Sequence, residues 1–422
     1  MAALLTTMKV LTFISLFLAK LCLAQVPTRS ETVMDDKGKQ EFILQAQKDT
    51  PDYSTAFKLL SAQVKQHPQN AEYRYFLAYT MDRMNAEDAK TMYRLQKEMT
   101  MKVSEQLEEV NRLEPVYQGE LFLLDPYSKL SSIWGSLAQA YLNRNERDSA
   151  KWAFQVGKQR GGFTEAVLSF NRQLLNSCDK NAILITSGDN ITISAWYLQL
   201  IENYRTDITV VDAHMFNTDW YPKYLKADRN LKLSYTDADL DTISYREWQS
   251  QTITIINQVD SSQKFSWQLQ PTYMDDYLLR GDIILLDMVK QNLFTRPIYF
   301  NNNSGSAYSL FLTSYLQDDG LVNKLTTDIK KDTGFSKNLS NYNMDGIHQN
   351  DIIKSSDARM VLNGFRWAYF NNIYRLYTQG QYEKAKDVLL LMDTKFKQEK
   401  LPFSSAEMEN YFINFFKQVK KK

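Results

Sequence analysis

The chain has 422 residues, of which 44% are hydrophobic and 23% charged, so it is long enough for two or three globular domains. Its formal net charge of +1 gives no electrostatic basis for binding nucleic acid. Aromatic residues reach 13%, an excess that indicates core packing first and a helical-repeat or sugar-binding surface second.

The first 24 residues have the pattern of a signal peptide. Lys9 precedes the apolar run Val10–Ala19, and the small residues at Cys22–Ala24 suit a cleavage site. No later window offers about 18 consecutive apolar residues, so we expect no transmembrane segment in the mature chain. The pattern therefore predicts an exported protein that is periplasmic or extracellular.

Cysteine and histidine are scarce. Removal of the signal peptide would leave Cys178 as the single cysteine, so the mature chain can form no intrachain disulfide. His67, His214 and His348 have no partner at the spacing of metal ligands. We therefore expect no metal site and no cofactor, and the composition disfavours a thiol protease.

The part before the predicted sheet is helical and repetitive. After residues 25–45, which we expect to be a flexible lead-in, residues 46–163 have the spacing of a tetratricopeptide-like repeat domain. Its clearest unit begins at Trp134 and places the small residues Ala138 and Ala150 where two helices of a hairpin approach closely. Such repeats commonly present a concave surface, so the pattern predicts that this domain binds a protein partner.

Residues 176–325 are predicted to form a small parallel three-layer α/β domain. Three apolar or β-branched runs predict buried strands at Ala182–Ile185, Ile208–Val211 and Arg296–Phe300. A helical spacing of apolar residues between Ile193 and Tyr204 joins the first two strands into a right-handed βαβ unit. The expected fold class is thus α/β plus all-α, with helical hairpins on both sides of the sheet domain.

The second half of the chain continues this pattern. Thr252–Val259 predicts a further strand, Asp275–Asn292 a helix, and Tyr308–Leu325 a helix or extended cover. Residues 326–357 are polar and predict an exposed insertion or linker. Residues 358–422 predict C-terminal helical hairpins.

Several short motifs, in one order along the chain, resemble a known group of proteins. They are SGDN-x-T-x-x-x-WYLQ at Ser187–Gln199, NTDWY at Asn217–Tyr221, QP-x-Y at Gln270–Tyr273, RPIYF at Arg296–Phe300 and YLQDDGL at Tyr315–Leu321. They are similar to the soluble C-terminal region of multi-pass Bacteroidetes membrane proteins that carry a domain of unknown function and are related to protein O-mannosyltransferases.

In that enzyme class the catalytic acid and the lipid-linked sugar lie in the membrane portion. This chain has a predicted signal peptide and predicted repeats in place of that portion. The resemblance therefore implies an accessory module of the bacterial cell envelope, related to glycosylation but without transferase activity.

The polar loops after the three predicted strands are candidates for a shared ligand crevice, because parallel strands end at one edge of a sheet. Their carboxylates and amides could bind ligand hydroxyl groups, and Trp196 or Trp220 could stack on a sugar ring. The candidate ligand-binding residues are Ser187, Gly188, Asp189, Asn190, Asn217, Asp219, Trp220, Asn301 and Asn303.

Several of these polar and aromatic residues also have a plainer interpretation. Asp189 and Asn190 could cap the helix that follows them, and Asp219 could cap the helix after Trp220. Trp196 lies on an apolar helix face, which favours a core position. The catalytic alternative makes Asp189 and Asp219 the acid and base of an enzyme acting on glycans or glycoconjugates.

The favoured hypothesis is an exported, non-catalytic scaffold. Its repeats would bind a protein partner, and its α/β domain would bind a ligand such as a glycan. A third option leaves the α/β domain purely structural. Two three-residue patterns, at Ser149 and Thr242, also resemble O-glycosylation acceptors of the same bacterial group.

Overall fold

The computed structural model describes residues 36–86, 91–302, 309–328 and 337–422, so the predicted signal peptide lies outside the described residues. The described residues are 58% helical and include a five-stranded mixed sheet. Within these ranges, no helix combines the length and the apolar character that crossing a membrane requires.

Most of the helices before the sheet pack against the next helix along the chain, and the last of them packs against the helix that follows the first strand. Their bounds are α1 Lys37–Ala46, α2 Ser54–Gln66, α3 Ala71–Asn85, α4 Lys97–Leu113, α5 Pro126–Asn143, α6 Arg147–Gln159 and α7 Glu165–Asn176. Ala138 of α5 and Ala150 of α6 are fully buried, as expected for small residues at a close helix approach.

Helix α1 corrects one expectation, since it occupies most of the described part of the predicted flexible lead-in. Phe42 of α1 is fully buried and contacts Tyr53, Phe76 and Phe122, with ring centroids 4.8–5.7 Å apart. One aromatic anchor in an otherwise polar segment is enough to order it.

The main sheet has the strand order β2-β1-β7-β9-β8. Its strands are β1 Ile183–Thr186, β2 Thr209–Asp212, β7 Ile298–Asn301, β8 Leu316–Asp318 and β9 Val322–Leu325. The predicted parallel arrangement is confirmed for β1, β2 and β7, whose residues are all buried. Helix α8, Asp189–Ile201, joins β1 to β2.

The all-parallel expectation is wrong at one edge of the sheet, where β9 and β8 run antiparallel. Part of the segment predicted as a helix or extended cover is therefore a β-hairpin. Its turn holds Gly320 at φ +85°, a conformation that favours glycine. The carboxylate of Asp318 accepts the Gly320 N–H at 2.9 Å and closes the turn.

Between β2 and β7 the chain forms a small subdomain of helices and short strands. Its elements are α9 Tyr221–Arg229, α10 Asp237–Thr242, β3 Arg246–Glu247, β4 Gln251–Ile256, β5 Lys264–Leu269, β6 Tyr277–Leu278 and α11 Arg280–Asn292. The predicted strand at Thr252–Val259 is present as β4, which pairs antiparallel with β5. The indole of Trp267 donates to the carbonyl of Leu310 at 2.9 Å and ties this hairpin to the segment before β8.

The last part of the chain returns to helices: α12 Lys337–Asn341, α13 Gln349–Lys354, α14 Ser356–Leu362, α15 Gly364–Thr378, α16 Tyr382–Lys395 and α17 Ala406–Lys421. Much of the predicted polar insertion is therefore helical, and its Leu339, Tyr342 and Ile352 are buried. Helices α15 and α16 form a hairpin whose turn holds Gly380 at φ +73°.

A buried carboxylate pair joins the helices before the sheet to those after it. The N–H of Asp125, just before α5, donates to Asp357 of α14 at 2.8 Å, and the N–H of Asp357 donates to Asp125 at 2.9 Å. The hydroxyl of Ser355 also donates to Asp125, at 2.5 Å. We call Asp125 and Asp357, with their two reciprocal hydrogen bonds, the aspartate clasp.

Candidate functional site

The three parallel strands end in a row of buried polar residues. The register pairs Thr186 with Asp212, and Asn301 follows Phe300, the partner of Ile185. Thr186, Asp212 and Asn301 thus lie at one level, with relative exposures of 0%, 7% and 3%. The loops after these strands consequently begin at a common edge of the sheet.

Asp212 holds the loop after β2 in place. Its carboxylate accepts the Thr192 hydroxyl of α8 at 2.8 Å and the N–H groups of His214 and Met215 at 2.9 and 3.3 Å. Burial raises the pKa of this carboxyl group, while His214 and the Thr192 hydrogen bond act in the opposite direction. The result is a fixed connection between α8, β2 and the short helical turn His214–Asn217.

The loops after β1 and β2 meet through Ser187 and His214. The Oγ of Ser187 lies 3.0 Å from Nε2 of His214, and both residues are half-buried. Gly188 follows at φ +90° with open space around its α-carbon. These contacts bring two of the three predicted loops together.

Asp189 is exposed and is the first residue of α8, whose N-cap is Gly188 without a side-chain cap bond. The capping interpretation of Asp189 and Asn190 is therefore wrong. The Asp189 carboxylate instead accepts the Ser132 hydroxyl of α5 at 2.6 Å. Asn190 is buried, and its carbonyl accepts the side-chain amide of Asn171 at 2.9 Å.

The candidates of the second loop have structural contacts. The Asn217 side chain accepts the N–H of Gly281 at 2.9 Å and donates to the carbonyl of His214 at 3.1 Å. Asp219 is 75% exposed and lies 3.7 Å from a guanidinium nitrogen of Arg280. It does not cap α9, whose N-cap Trp220 makes no side-chain cap bond.

The two tryptophans are core residues, with exposures of 4% for Trp196 and 8% for Trp220. Trp196 packs near Tyr221 at a centroid distance of 6.2 Å, and Trp220 packs edge-on to the same ring at 5.6 Å. The core interpretation of Trp196 agrees with this packing. Neither ring offers a face for stacking on a sugar, which corrects the expectation for Trp220.

The third loop is described only at its start. Asn301 is buried, and Asn302 is half-buried and donates to the carbonyl of Gly320. Asn303 lies outside the described residues. The third loop therefore contributes its first residues to the same edge of the sheet, next to the turn between β8 and β9.

Sequence reasoning missed two residues at this edge. His214 had no partner at close sequence spacing, because Ser187 is 27 positions away, and Ser132 belongs to a helix that precedes the sheet. We call the cluster of Ser187, Gly188, Asp189 and His214 the strand-end rim.

Neither metal nor thiol chemistry is indicated in the described part of the chain. It contains no group of three or more His, Cys, Asp or Glu residues that could hold a metal ion. Cys178 is buried, and burial raises the pKa of its thiol well above the usual range, so this thiol is unreactive.

Comparison with known families gives one match. The model of TMEM260-associated domain 2 matches residues 167–264 and 242–346. These ranges contain the main sheet and all three strand-end loops. No curated protein and no solved structure matches the chain. The match agrees with the resemblance to proteins related to O-mannosyltransferases.

The predicted glycosylation acceptors can also be located. Ser149 lies within α6, and Thr242 is the exposed last residue of α10, with its hydroxyl donating to the carbonyl of Asp239 at 2.8 Å. Their glycosylation stays a prediction.

Proposed function

We propose that this chain is an exported, non-catalytic accessory protein of the bacterial cell envelope that binds a hydroxyl-rich ligand of the glycan class at the strand-end rim. The proposal is based on the position of Ser187, Asp189 and His214, which lie together at the carboxyl ends of β1 and β2. Their polar groups are exposed or half-buried, while the residues beneath them are fixed by hydrogen bonds.

The topology supports a crevice at this place. Strands β2 and β7 lie on opposite sides of β1 in the sheet. The chain therefore passes from β1 to its neighbour on one side, β2, and later to its neighbour on the other side, β7. Ligands of open α/β sheets bind at such a switch point. Because crossovers are right-handed, we infer that α8 and α11 cover opposite faces, which gives the predicted three-layer arrangement.

The chemistry of the rim suits hydroxyl groups. One oxygen of Asp189 is bonded to Ser132, and the other has no hydrogen-bond partner among the described residues. The N–H groups of Asp189 and Asn190, the first two of α8, have no acceptor within the helix. An acceptor beside several donors is what a sugar hydroxyl requires, and recognition here would rest on hydrogen bonds rather than on ring stacking.

The helical hairpins supply the second half of the proposal. We infer that they are tetratricopeptide-like repeats and that their surface binds a protein partner. The fully buried Trp134, Ala138, Ala150 and Phe154 support this inference, since these are the residue types that close such a hairpin.

A glycan-array screen of the purified mature chain tests ligand binding. We expect a defined set of positive glycans, with the signal lost in Ser187→Ala and Asp189→Ala. Asp148→Ala, which removes an exposed carboxylate on α6, is the matched control and should bind normally. Uniform silence on the array, with a protein partner recovered by pull-down, would remove the ligand-binding half of the proposal.

The catalytic alternative stays a prediction with its own test. If Asp189 and Asp219 are an acid and base, Asp189→Asn abolishes a measurable turnover of a glycan or glycoconjugate while the fold survives. Asp219 contacts Arg280, and no described contact joins it to Asp189, so no feature of the structure favours this alternative.

A further inference from the structure

A cavity lies between the segment after α4 and the helices α13 and α14, and none of the rim residues line it. Its volume is about 210 Å³. We call it the cationic pocket. Its lining includes Val116, Leu121, Asp125, Ile353, Lys354 and Arg359.

The pocket contains two positive charges without counter-ions. Lys354 is exposed and Arg359 is half-buried, and neither side chain forms a hydrogen bond or an ion pair with any described residue. The Nε of Arg359 is fully buried and lacks a partner. A bound anion would supply the counter-charge that both side chains lack among the described residues.

The one carboxylate in the lining does not satisfy these cations. Asp125 accepts the N–H of Ser128 at 2.9 Å with one oxygen. Its other oxygen accepts the Ser355 hydroxyl at 2.5 Å and the Asp357 N–H at 2.9 Å. Asp125 is 2% exposed, and its hydrogen bonds are made with Ser128, Ser355 and Asp357 rather than with either cation.

The remainder of the lining combines the polar residues Gln118 and Ser356 with apolar side chains that are open to solvent. Val116, Leu121 and Ile353 are 41%, 41% and 47% exposed, which is high for large apolar residues. The ring of Tyr117 stacks on Tyr75 at a centroid distance of 4.9 Å, so this wall is rigid. Apolar walls with two adjacent cations suit a ligand that is both acidic and partly apolar.

We propose that the cationic pocket binds a small organic anion. Its carboxylate, sulfate or phosphate group lies between Lys354 and Arg359, and its carbon skeleton contacts Val116, Leu121 and Ile353. Pockets that bind drug-sized ligands measure roughly 300–1,000 Å³, so this smaller cavity fits a ligand about as large as a single ring with its acidic group. The site is independent of the strand-end rim and of the proposed glycan ligand.

Matched pairs of probes test the charge requirement on the full chain. Isothermal titration calorimetry compares benzoate with benzyl alcohol, and phenyl phosphate with phenol and inorganic phosphate. We expect at least one aromatic anion to bind, its neutral partner not to bind, and inorganic phosphate to bind more weakly. Whichever of benzoate and phenyl phosphate binds more tightly indicates whether the acidic group of the ligand is a carboxylate or a phosphate.

Variants test the residues. Lys354→Gln and Arg359→Gln should each weaken binding of the preferred anion about tenfold, the loss of one charge-assisted hydrogen bond. Lys151→Gln, which removes an exposed cation on α6, should bind normally. Circular dichroism checks folding, and the exposed Lys354 keeps the test valid if the Arg359 variant unfolds.

Four results would each overturn the proposal. They are no binding of either anion, equal binding of an anion and its neutral partner, unchanged affinity in folded Lys354→Gln, and inorganic phosphate binding as tightly as phenyl phosphate. The last result would indicate an adventitious ion only.

Discussion

Asp357→Asn should make the protein more stable at high pH. In the aspartate clasp, two carboxylates accept hydrogen bonds from each other's backbone N–H, and both residues are at least 93% buried, with exposures of 2% and 7%. Burial, followed by the charge of Asp125, raises the pKa of Asp357 from its ordinary 3.8 to about 7. The native protein thus holds a proton there that the unfolded chain has already lost.

The sign and size follow from proton linkage. Between pH 4 and pH 7 the native state binds more protons at Asp357 than the unfolded state, so the stability contributed by this group falls as pH rises. A difference of about three pKa units corresponds to about 4 kcal/mol, of which about 3 kcal/mol falls between pH 5 and pH 8. Asparagine cannot ionise and can still accept a hydrogen bond from the Asp125 N–H. The variant should therefore not show this fall in stability between pH 5 and pH 8.

Chemical denaturation of both proteins at pH 5 and pH 8 measures the effect. The free energy of unfolding of Asp357→Asn, relative to the unmodified chain, should increase by about 3 kcal/mol between the two pH values. Asp148→Asn on the surface of α6 serves as the control and should show no such change. A difference that stays constant from pH 5 to pH 8 would refute the assignment of the proton to Asp357.

Three further predictions, made with four substitutions, test other parts of the fold. Gly188→Ala should cost about 1–2 kcal/mol of stability, because φ is +90° at this position, which is unfavourable for alanine. No neighbouring atom opposes the added methyl group, so no steric clash adds to this cost. Ser132→Ala should cost about 1 kcal/mol through the lost bond to Asp189, whereas Asp189→Asn keeps an acceptor and should be nearly neutral. Arg366→Met should cost about 2–4 kcal/mol, because the buried guanidinium donates to Asn363 and to the carbonyls of Phe396 and Leu401. Denaturant titration at pH 7 measures all three.

Each of these has an outcome that contradicts it. Stable Gly188→Ala would mean that the backbone there relaxes to negative φ. Equal losses in Asp189→Asn and Ser132→Ala would show that the charge of Asp189 contributes as much to this contact as the hydrogen bond. Full recovery by Arg366→Lys would contradict the role of the forked guanidinium, since lysine retains the charge but not the geometry.

The sequence predicted the parallel core of the sheet well, for a physical reason. Strands β1, β2 and β7 are buried on both faces, so each is a short apolar run that is visible without knowledge of its neighbours. Strands β8 and β9 mix buried and half-buried positions, and their sequences carry no such signal. For this reason the sequence did not predict the antiparallel edge of the sheet.

The site was predicted less completely because its contacts join distant parts of the chain. The loops after β1 and β2 were identified as neighbours from strand order alone. The partners of Ser187 and Asp189 were not, because His214 and Ser132 lie 27 and 57 positions away. The expected capping of α8 by Asp189 was wrong for the same reason. The Asp189 carboxylate accepts a hydrogen bond from Ser132 on a distant helix, and local sequence rules cannot predict that contact.

The aspartate clasp also affects how the chain can be made. Asp125 and Asp357 are 232 positions apart, so the contact cannot form until most of the polypeptide exists. A ribosome completes the early helices long before their partner emerges, and contacts of such long range slow folding. The early helices therefore lack this contact while the later part of the chain is being synthesised.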